Sequence, residues 1–240
     1  MDDLQKNAKH LASISLGIGA IKLRPDKPFQ WASGYMMPIY NDNRMLLGKS
    51  MHRKHIVESF RKIISYYSLP GSIIAGTSTA GIPHATSLAD KLNLPLVYVR
   101  DKSKEHGMKN RIEGIDAEKD LAGRQVILIE DLISTGGSSA SAVDAIRKAN
   151  GRINYCLSIF DYGLDEAKNI FSGQKSFDKE GHKLNPSCEV FSILDYDTLL
   201  SVAQVQGYIG QSQLKMLEEW RADPFNWGAK HGFPKVEKKT

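Results

Sequence analysis

The sequence predicts an α/β fold, a parallel sheet with helices on both faces, and three observations carry that reading. Apolar, β-branched runs recur at Ser72–Gly76, Leu96–Arg100, Gln125–Glu130 and Ile153–Phe160. Amphipathic segments of helical length follow two of them, Ala80–Leu92 and Gly137–Asn150. The runs also open into loops rich in Gly, Ser, Thr or charge instead of two-residue hairpin turns. Strands alternating with crossovers of that length build parallel sheets, because parallel neighbours cannot be joined by a tight turn.

Taken in order, Asp3–Leu16 has the composition of a first helix. The segments Phe29–Gly34 and Pro38–Arg44 read as short strands around a turn. Ile56, Val57, Phe60, Ile63, Ile64 and Tyr67 keep helical spacing, so a helix covers roughly 48–67 and closes near Pro70-Gly71. The strand at 72–76 then leads into a helix whose Leu88, Ala89 and Leu92 face inward. The strand at 125–130 leads into a helix stopped by Gly151, and the strand at 153–160 follows. Beyond residue 160 the pattern thins to two helices, Leu194–Val205 and Ser212–Trp220, with Asp223–Gly228 closing the ordered part.

At 240 residues the chain holds one large domain, or one domain with an elaboration, and an ample core. Hydrophobic residues at 41% and charged residues at 25% belong to a soluble globular protein. No apolar run approaches the ~18 residues of a membrane span, and the acidic start Met1–Gln5 is unlike a signal peptide. Cys156 and Cys188 have no metal-binding spacing and read as reduced thiols, so a cytoplasmic setting is expected. The net charge of +5 falls into separate clusters at 49–62, 100–111 and the tail 235–239, the last read as a solvated, disordered end. Nucleic-acid binding, which wants one basic stripe with interleaved aromatics, is not expected; a polyanionic small ligand suits the middle cluster better.

Ligands of open α/β sheets sit at the carboxyl ends of the strands, and three strand ends here are chemically loaded. After the run 125–129 come Glu130 and Asp131, then Leu132, Ile133, Ser134, Thr135, Gly136, Gly137 and Ser138. Backbone N–H groups around the paired glycines, helped by the hydroxyls, can cradle one phosphate at a helix N-terminus. The two acids would repel that phosphate; their sensible work is to accept hydrogen bonds from vicinal hydroxyls, with a Mg²⁺ nearby lowering their repulsion. Thr77–Pro83, with Thr79 and Ala80, is a second hydroxyl- and Gly-bearing turn that can hold a second phosphate. Arg100–Arg111 is a long polar loop with Arg100, Lys102, Lys104 and His106, which reads as a lid carrying cations toward a departing polyphosphate.

These residues resemble the type I phosphoribosyltransferases, through the acid-acid-x-x-Ser-Thr-Gly-Gly-Ser loop, and within them the members that use orotate. Trp31-Ala32-Ser33-Gly34 with Pro38–Arg44, Gly76–Ala85 and Arg100-x-Lys102-x-Lys104-x-His106-Gly107 extend the likeness, which runs from about Phe29 to Tyr162. The resemblance implies a five-stranded parallel core under a small N-terminal hood. On one 1–240 domain that places the hood mainly at 20–45, the core at about 46–165 and a C-terminal extension at about 166–230. It implies transfer of a phosphoribosyl group from 5-phosphoribosyl 1-diphosphate to orotate, with Mg²⁺ bound mainly through the donor and no dedicated protein metal site. The donor would meet Thr79, Ala80, Arg100, Lys102, Lys104, His106 and residues 130–138; orotate would meet Ser134, Tyr40 and Tyr162. Lys104, His106 and Asp131 would carry catalysis, in a homodimer whose lid closes over the partner's site. The same donor loop also suits an enzyme for another nucleobase, or a regulator that senses the donor. This chain departs from family patterns in carrying Met36, Met37, Ala32, Ala80 and Tyr162 where family members place Lys, Ser or Arg.

Overall fold

The computed structural model describes residues 2–31, 33–101, 111–115, 120–172, 176–177, 183–184 and 187–236. The chain opens with α1 (Asp2–Gly17), then β1 (Ile21–Leu23), β2 (Phe29–Gln30), β3 (Met36–Met37) and β4 (Ile39–Asn41). β1 pairs with β4 and β2 with β3, both antiparallel, forming two small ribbons ahead of the main sheet. A 3-10 turn, Asn43–Gly48, leads into α2 (Ser50–Tyr66). The α/β core follows as β5 (Ile73–Thr77), α3 (Gly81–Leu92), β6 (Leu96–Val99), β7 (Ile112–Glu113), β8 (Gln125–Ile133), α4 (Gly137–Lys148) and β9 (Arg152–Asp161). After α5 (Asp165–Phe171) come the two-residue strands β10 (Ser176–Phe177) and β11 (Lys183–Leu184), and β12 (Glu189–Asp195). Three helices finish the chain: α6 (Tyr196–Val205), α7 (Gln211–Ala222) and α8 (Pro224–Lys230).

The main sheet has the order β12-β9-β8-β5-β6-β7. Its first five strands run parallel, the five-stranded core expected from the sequence, and β7 adds an antiparallel edge through Tyr98↔Glu113 and Val99↔Ile112. β8 sits centrally, and its period-2 alternation feeds both faces. Ile127 and Ile129 join the core that includes Phe60 of α2 and Leu88 of α3; Val126 and Leu128 join Val143 and Ile146 of α4 on the other face. Each such aliphatic side chain, fully buried, stabilises the fold by roughly 1.5–3 kcal/mol.

Two C-terminal expectations need correction. The strand β12 is an addition to the sequence expectation: only Ile193 and Leu194 of it are buried while Val190–Ser192 are half-buried, so its apolar signal is short, and Leu194 belongs to the strand and not to the helix that follows. The helix instead starts at Tyr196, because Asp195 caps it by accepting the Thr198 N–H at 2.7 Å. Nor does order end at Gly228. α8 continues to Lys230, and Phe233–Val236 folds back onto the N-terminal ribbons, with the Val236 N–H donating to the Gly34 carbonyl at 2.9 Å. Lys235 and Val236 stay exposed but are held to the ribbons by these contacts, while 237–240 lie outside the described residues.

Among the buried polar groups, His84 of α3 is 1% exposed. Burial pushes its imidazole down from 6.5 to about 4, with the Arg53 charge acting in the same direction. Between those values the unfolded chain binds a proton that the folded chain refuses. The stability this group contributes is therefore full above pH 6.5 and is lost as pH falls toward 4. Denaturant unfolding from pH 7.5 to 5 should show a shallower pH dependence in His84→Gln than in the parent; parallel slopes would remove His84 from the account.

Candidate active site

β8 carries the site, and it runs three residues further than the sequence suggested. Glu130 and Asp131 are strand residues, and Leu132 and Ile133 still pair with Phe160 and Asp161 of β9. Ile133 is a core residue at 1% exposure, and its carbonyl accepts the Tyr162 N–H at 3.1 Å. An acid can occupy a buried strand position only if its oxygens find donors, and Glu130 does. Thr77 Oγ1 on β5 donates to Oε1 at 2.7 Å, Ser139 Oγ on α4 donates to Oε2 at 2.8 Å, and the Asp131 N–H donates to Oε1 at 3.0 Å. Burial pushes Glu130 up from 4.5 to about 7; Asp131 adds to the rise and the two hydroxyls oppose it.

Asp131, next along the strand, is half-buried, and its carboxyl lies within hydrogen-bonding reach of that of Glu130. Its carbonyl accepts Nδ2 of Asn43 at 2.6 Å, which ties the segment following β4 to the end of β8. Arg44, ion-paired with Asp42 at 2.6 Å, is also drawn by the negative charge of Asp131. The two acids thus differ: Glu130 is buried and braces the interior, and Asp131 is half-buried beside it.

Past Ile133 the chain turns through Ser134, Thr135 and Gly136 into α4. Thr135, Gly137 and Ser138 are exposed, and Gly136 is packed against Ala167 and Phe171. No side chain caps α4, so the N–H groups of its first turn are presented to an anion, with the positive end of the helix dipole behind them. The neighbouring turn repeats the arrangement. After β5 the chain passes Ser78 and Thr79, joined by a cis peptide, and α3 begins at Gly81 with Ala80 as an N-cap that supplies no side-chain bond. A Cβ on Gly81 would lie 2.5 Å from both the Ile129 carbonyl oxygen and Thr77 Oγ1, so only glycine lets α3 start this close to β8. Two uncapped helix N-termini therefore stand side by side on adjacent parallel strands.

The polar loop after β6 is pinned at its stem. The Arg100 N–H donates to the Arg111 carbonyl at 2.9 Å, and Arg111 Nε returns a bond to the Arg100 carbonyl at 2.7 Å. Arg111 Nη1 also donates to Ser141 Oγ of α4 at 2.8 Å. The Arg100 guanidinium lies 3.4 Å from Glu113. Lys102, Lys104 and His106 lie outside the described residues.

Of the base-end residues, Tyr40 is 38% exposed on β4. Tyr162 corrects an expectation. At 1% exposure its ring packs edge-on against Phe160 and Trp220 and lies 5.7 Å from Trp31, so it serves the aromatic core beneath the hood instead of presenting an open face. Burial drives its phenol well above the usual range. Sequence reasoning also passed over Asn43, Ser139 and Arg111. All three sit inside the quoted motifs, but their bonds reach residues 88, 9 and 30 positions away.

With this geometry in view, comparison with known proteins is decisive. The phosphoribosyl transferase domain family matches residues 48–182. An orotate phosphoribosyltransferase from Listeria monocytogenes is 41% identical over 220 residues, 92% of this chain and 98% of that one. The chain belongs to the orotate phosphoribosyltransferase family. A family member from Halalkalibacterium halodurans is 43% identical over 217 residues, 90% of this chain and 94% of its own. The crystal structure of orotate phosphoribosyltransferase from Aeropyrum pernix superposes with a TM-score of 0.63 at 26% identity, covering 83% of this chain and 99% of that one.

Membership gives the departures at Met36, Met37 and Ala80 a physical setting. Met37 is fully buried and its sulfur accepts the Trp220 Nε1–H at 3.0 Å, so its side chain is a contact to α7. Ala80 stands where the helix start needs no side chain, the anion-facing N–H groups being backbone.

The bracing role of Glu130 is separable by substitution. Its raised pKa means that the folded state holds a proton the unfolded chain has released, so its contribution to stability declines as pH rises from 4.5 through about 7. Glu130→Gln keeps an oxygen for Thr77 and a polar partner for Ser139 and should melt at or above the parent temperature at pH 8. Glu130→Ala, leaving the Ser139 hydroxyl without this partner and Thr77 with only the Ile129 carbonyl at 3.3 Å, should lose about 1–3 kcal/mol. Equal melting temperatures for the Gln and Ala variants would show that the bonds do not brace the fold.

Proposed function

We propose that the residues gathered at the carboxyl edge of β5 and β8 carry out the reaction of the family, transfer of the phosphoribosyl group from 5-phosphoribosyl 1-diphosphate to orotate. The products are orotidine 5′-monophosphate and diphosphate, a step in pyrimidine synthesis. The observation that carries the assignment is the uncapped start of α4, preceded by Ser134 and Thr135 and flanked by the half-buried Asp131. That turn takes the 5-phosphate through backbone N–H groups and the hydroxyls of Ser134, Thr135 and Ser138. The matching turn at Thr79 and Ala80 takes the diphosphate, and Asp131 accepts the ribose hydroxyls.

The chemistry asks for charge placement more than proton transfer. Breaking the C1–diphosphate bond leaves an oxocarbenium-like sugar and a highly charged leaving group, and N1 of orotate enters as an anion. Asp131 lies on the side of the developing positive charge, and Arg100, Lys102, Lys104 and His106 answer the charge on diphosphate. Orotate is placed against Ser134 and Tyr40, under the hood. Mg²⁺ fits as a cofactor held mainly by the donor: Glu130 is committed to Thr77 and Ser139, which leaves Asp131 as the near carboxylate. Among the described residues no cluster of three His, Cys, Asp or Glu could cage a metal. When bound, the ion neutralises diphosphate charge.

Among the described residues no helix is long and apolar enough to cross a membrane. Two free, buried cysteines support a cytoplasmic setting, and the resemblance supports a homodimer that shares its polar loop between subunits.

The reading is checked by following loss of orotate absorbance with donor and Mg²⁺, against a panel of competing bases. Orotate should be consumed only when both are present; no turnover at saturation, or preference for another base, would overturn it. Lys104→Ala should lower turnover by roughly 10²–10³, as for one lost stabiliser of transition-state charge, with an unchanged melting temperature. An unaffected rate would take Lys104 out of the mechanism.

A further inference from the structure

The tail beyond α8 makes contacts that phosphoribosyl transfer, as derived above, does not use. Phe233 is held back on α8 by its N–H bond to the Gly228 carbonyl at 2.7 Å. Val236 then donates to the carbonyl of Gly34, at the tip of the β2–β3 hairpin. Gly34 has φ +86, and a Cβ there would collide with the Val236 carbonyl oxygen, so tail and hairpin tip are fitted main chain to main chain. Lys235 Nζ lies 4.4 Å above the Tyr35 ring, whose edge meets Phe225 of α8 at 5.2 Å.

From the hairpin the contacts lead to the base end of the site and not to its phosphate end. Phe29 of β2 lies against Tyr40, ring centroids 5.6 Å apart, and the Trp31 Nε1–H donates to the Ile39 carbonyl at 2.9 Å. Both therefore act on β4, which carries the exposed Tyr40. The phosphate turns are fixed independently, by Glu130, Thr77 and Ser139 on strands and a helix of the core.

We propose that Phe233–Val236 is a positioning element for the nucleobase: by clamping the β2–β3 hairpin it holds the hood at the height that receives the base, without touching the grip on the phosphoribosyl donor. The proposal rests on the phosphoribosyl transfer to orotate assigned above. Its signature is a split between substrates, which general loosening of the fold would not produce.

The experiment compares the parent, a chain ending at Phe233 and Gly34→Ala, each as the otherwise full-length protein. KM for orotate should rise about tenfold in both variants, the scale set by one backbone hydrogen bond and one exposed cation–π contact. KM for the donor, kcat and the melting temperature should stay near parental values. Amide hydrogen exchange should accelerate at 29–37 and stay unchanged at 73–81 and 125–139. An unchanged orotate KM, or a rise in both KM values with a falling melting temperature, would overturn the proposal. If the parent itself turned over no orotate, the assigned reaction would fail. The exchange comparison would still decide the clamp, with unchanged exchange at 29–37 counting against it.

Discussion

The carboxylate of Glu130 takes hydrogen bonds from Thr77 on the neighbouring strand and from Ser139 on the helix that follows its own strand, and the two anion-binding turns hold their relative position through it. Neither bond is strong alone, about 0.5–1.5 kcal/mol net for neutral partners and more for charged ones. Their importance is geometric. Thr77 precedes the start of α3 and Ser139 lies in the first turn of α4, so one side chain in a buried strand fixes both helix N-termini. Gly81 completes the brace from the backbone side, bringing α3 within a Cβ-free distance of the Ile129 carbonyl.

The brace also explains why two adjacent acids can coexist beside two phosphate cradles. Side by side and both ionised, they would repel each other and the ligand. Their carboxyls lie within hydrogen-bonding reach, and burial together with that contact favours the neutral form of Glu130, which relieves the repulsion. Glu130 supports the site from within the strand. The raised pKa of Glu130 belongs to this supporting role, so a strongly shifted value in a cleft marks here the scaffold of the site and not its proton donor.

What the sequence disclosed follows the range of the interactions involved. The strands β5, β6, β8 and β9 and the helices α2, α3 and α4 were legible because their signals are local: β-branched runs, helical spacing, and glycines at the turns. The ligand class was legible for the same reason, since a phosphate cradle is built from consecutive residues. The direction of Glu130 was not, because it depends on hydroxyls 53 residues before it and 9 after it. The edge strand β12 was missed because only its last two apolar residues, Ile193 and Leu194, are buried, and β7 because two residues are too short for any period. Tyr162 looked like a ligand contact through its alignment with a family position; the ring instead fills a core assembled from Trp31, far upstream, and Trp220, far downstream.

The same reasoning bears on the hood, whose own secondary structure is too slight to hold it. Two-residue strands such as β2 and β3 bury little and cannot persist alone in water. Their stability must be borrowed, and the lenders are visible: Trp220 of α7 bonds to Met37, Phe225 of α8 meets Tyr35, and Val236 bonds to Gly34. Methionine at position 37 is then a coherent choice, since a buried sulfur that accepts an indole N–H anchors the hood to the C-terminal helices. The hood is thus anchored by the C-terminal helices and tail, whereas the turns after β5 and β8 are held from within the central α/β unit.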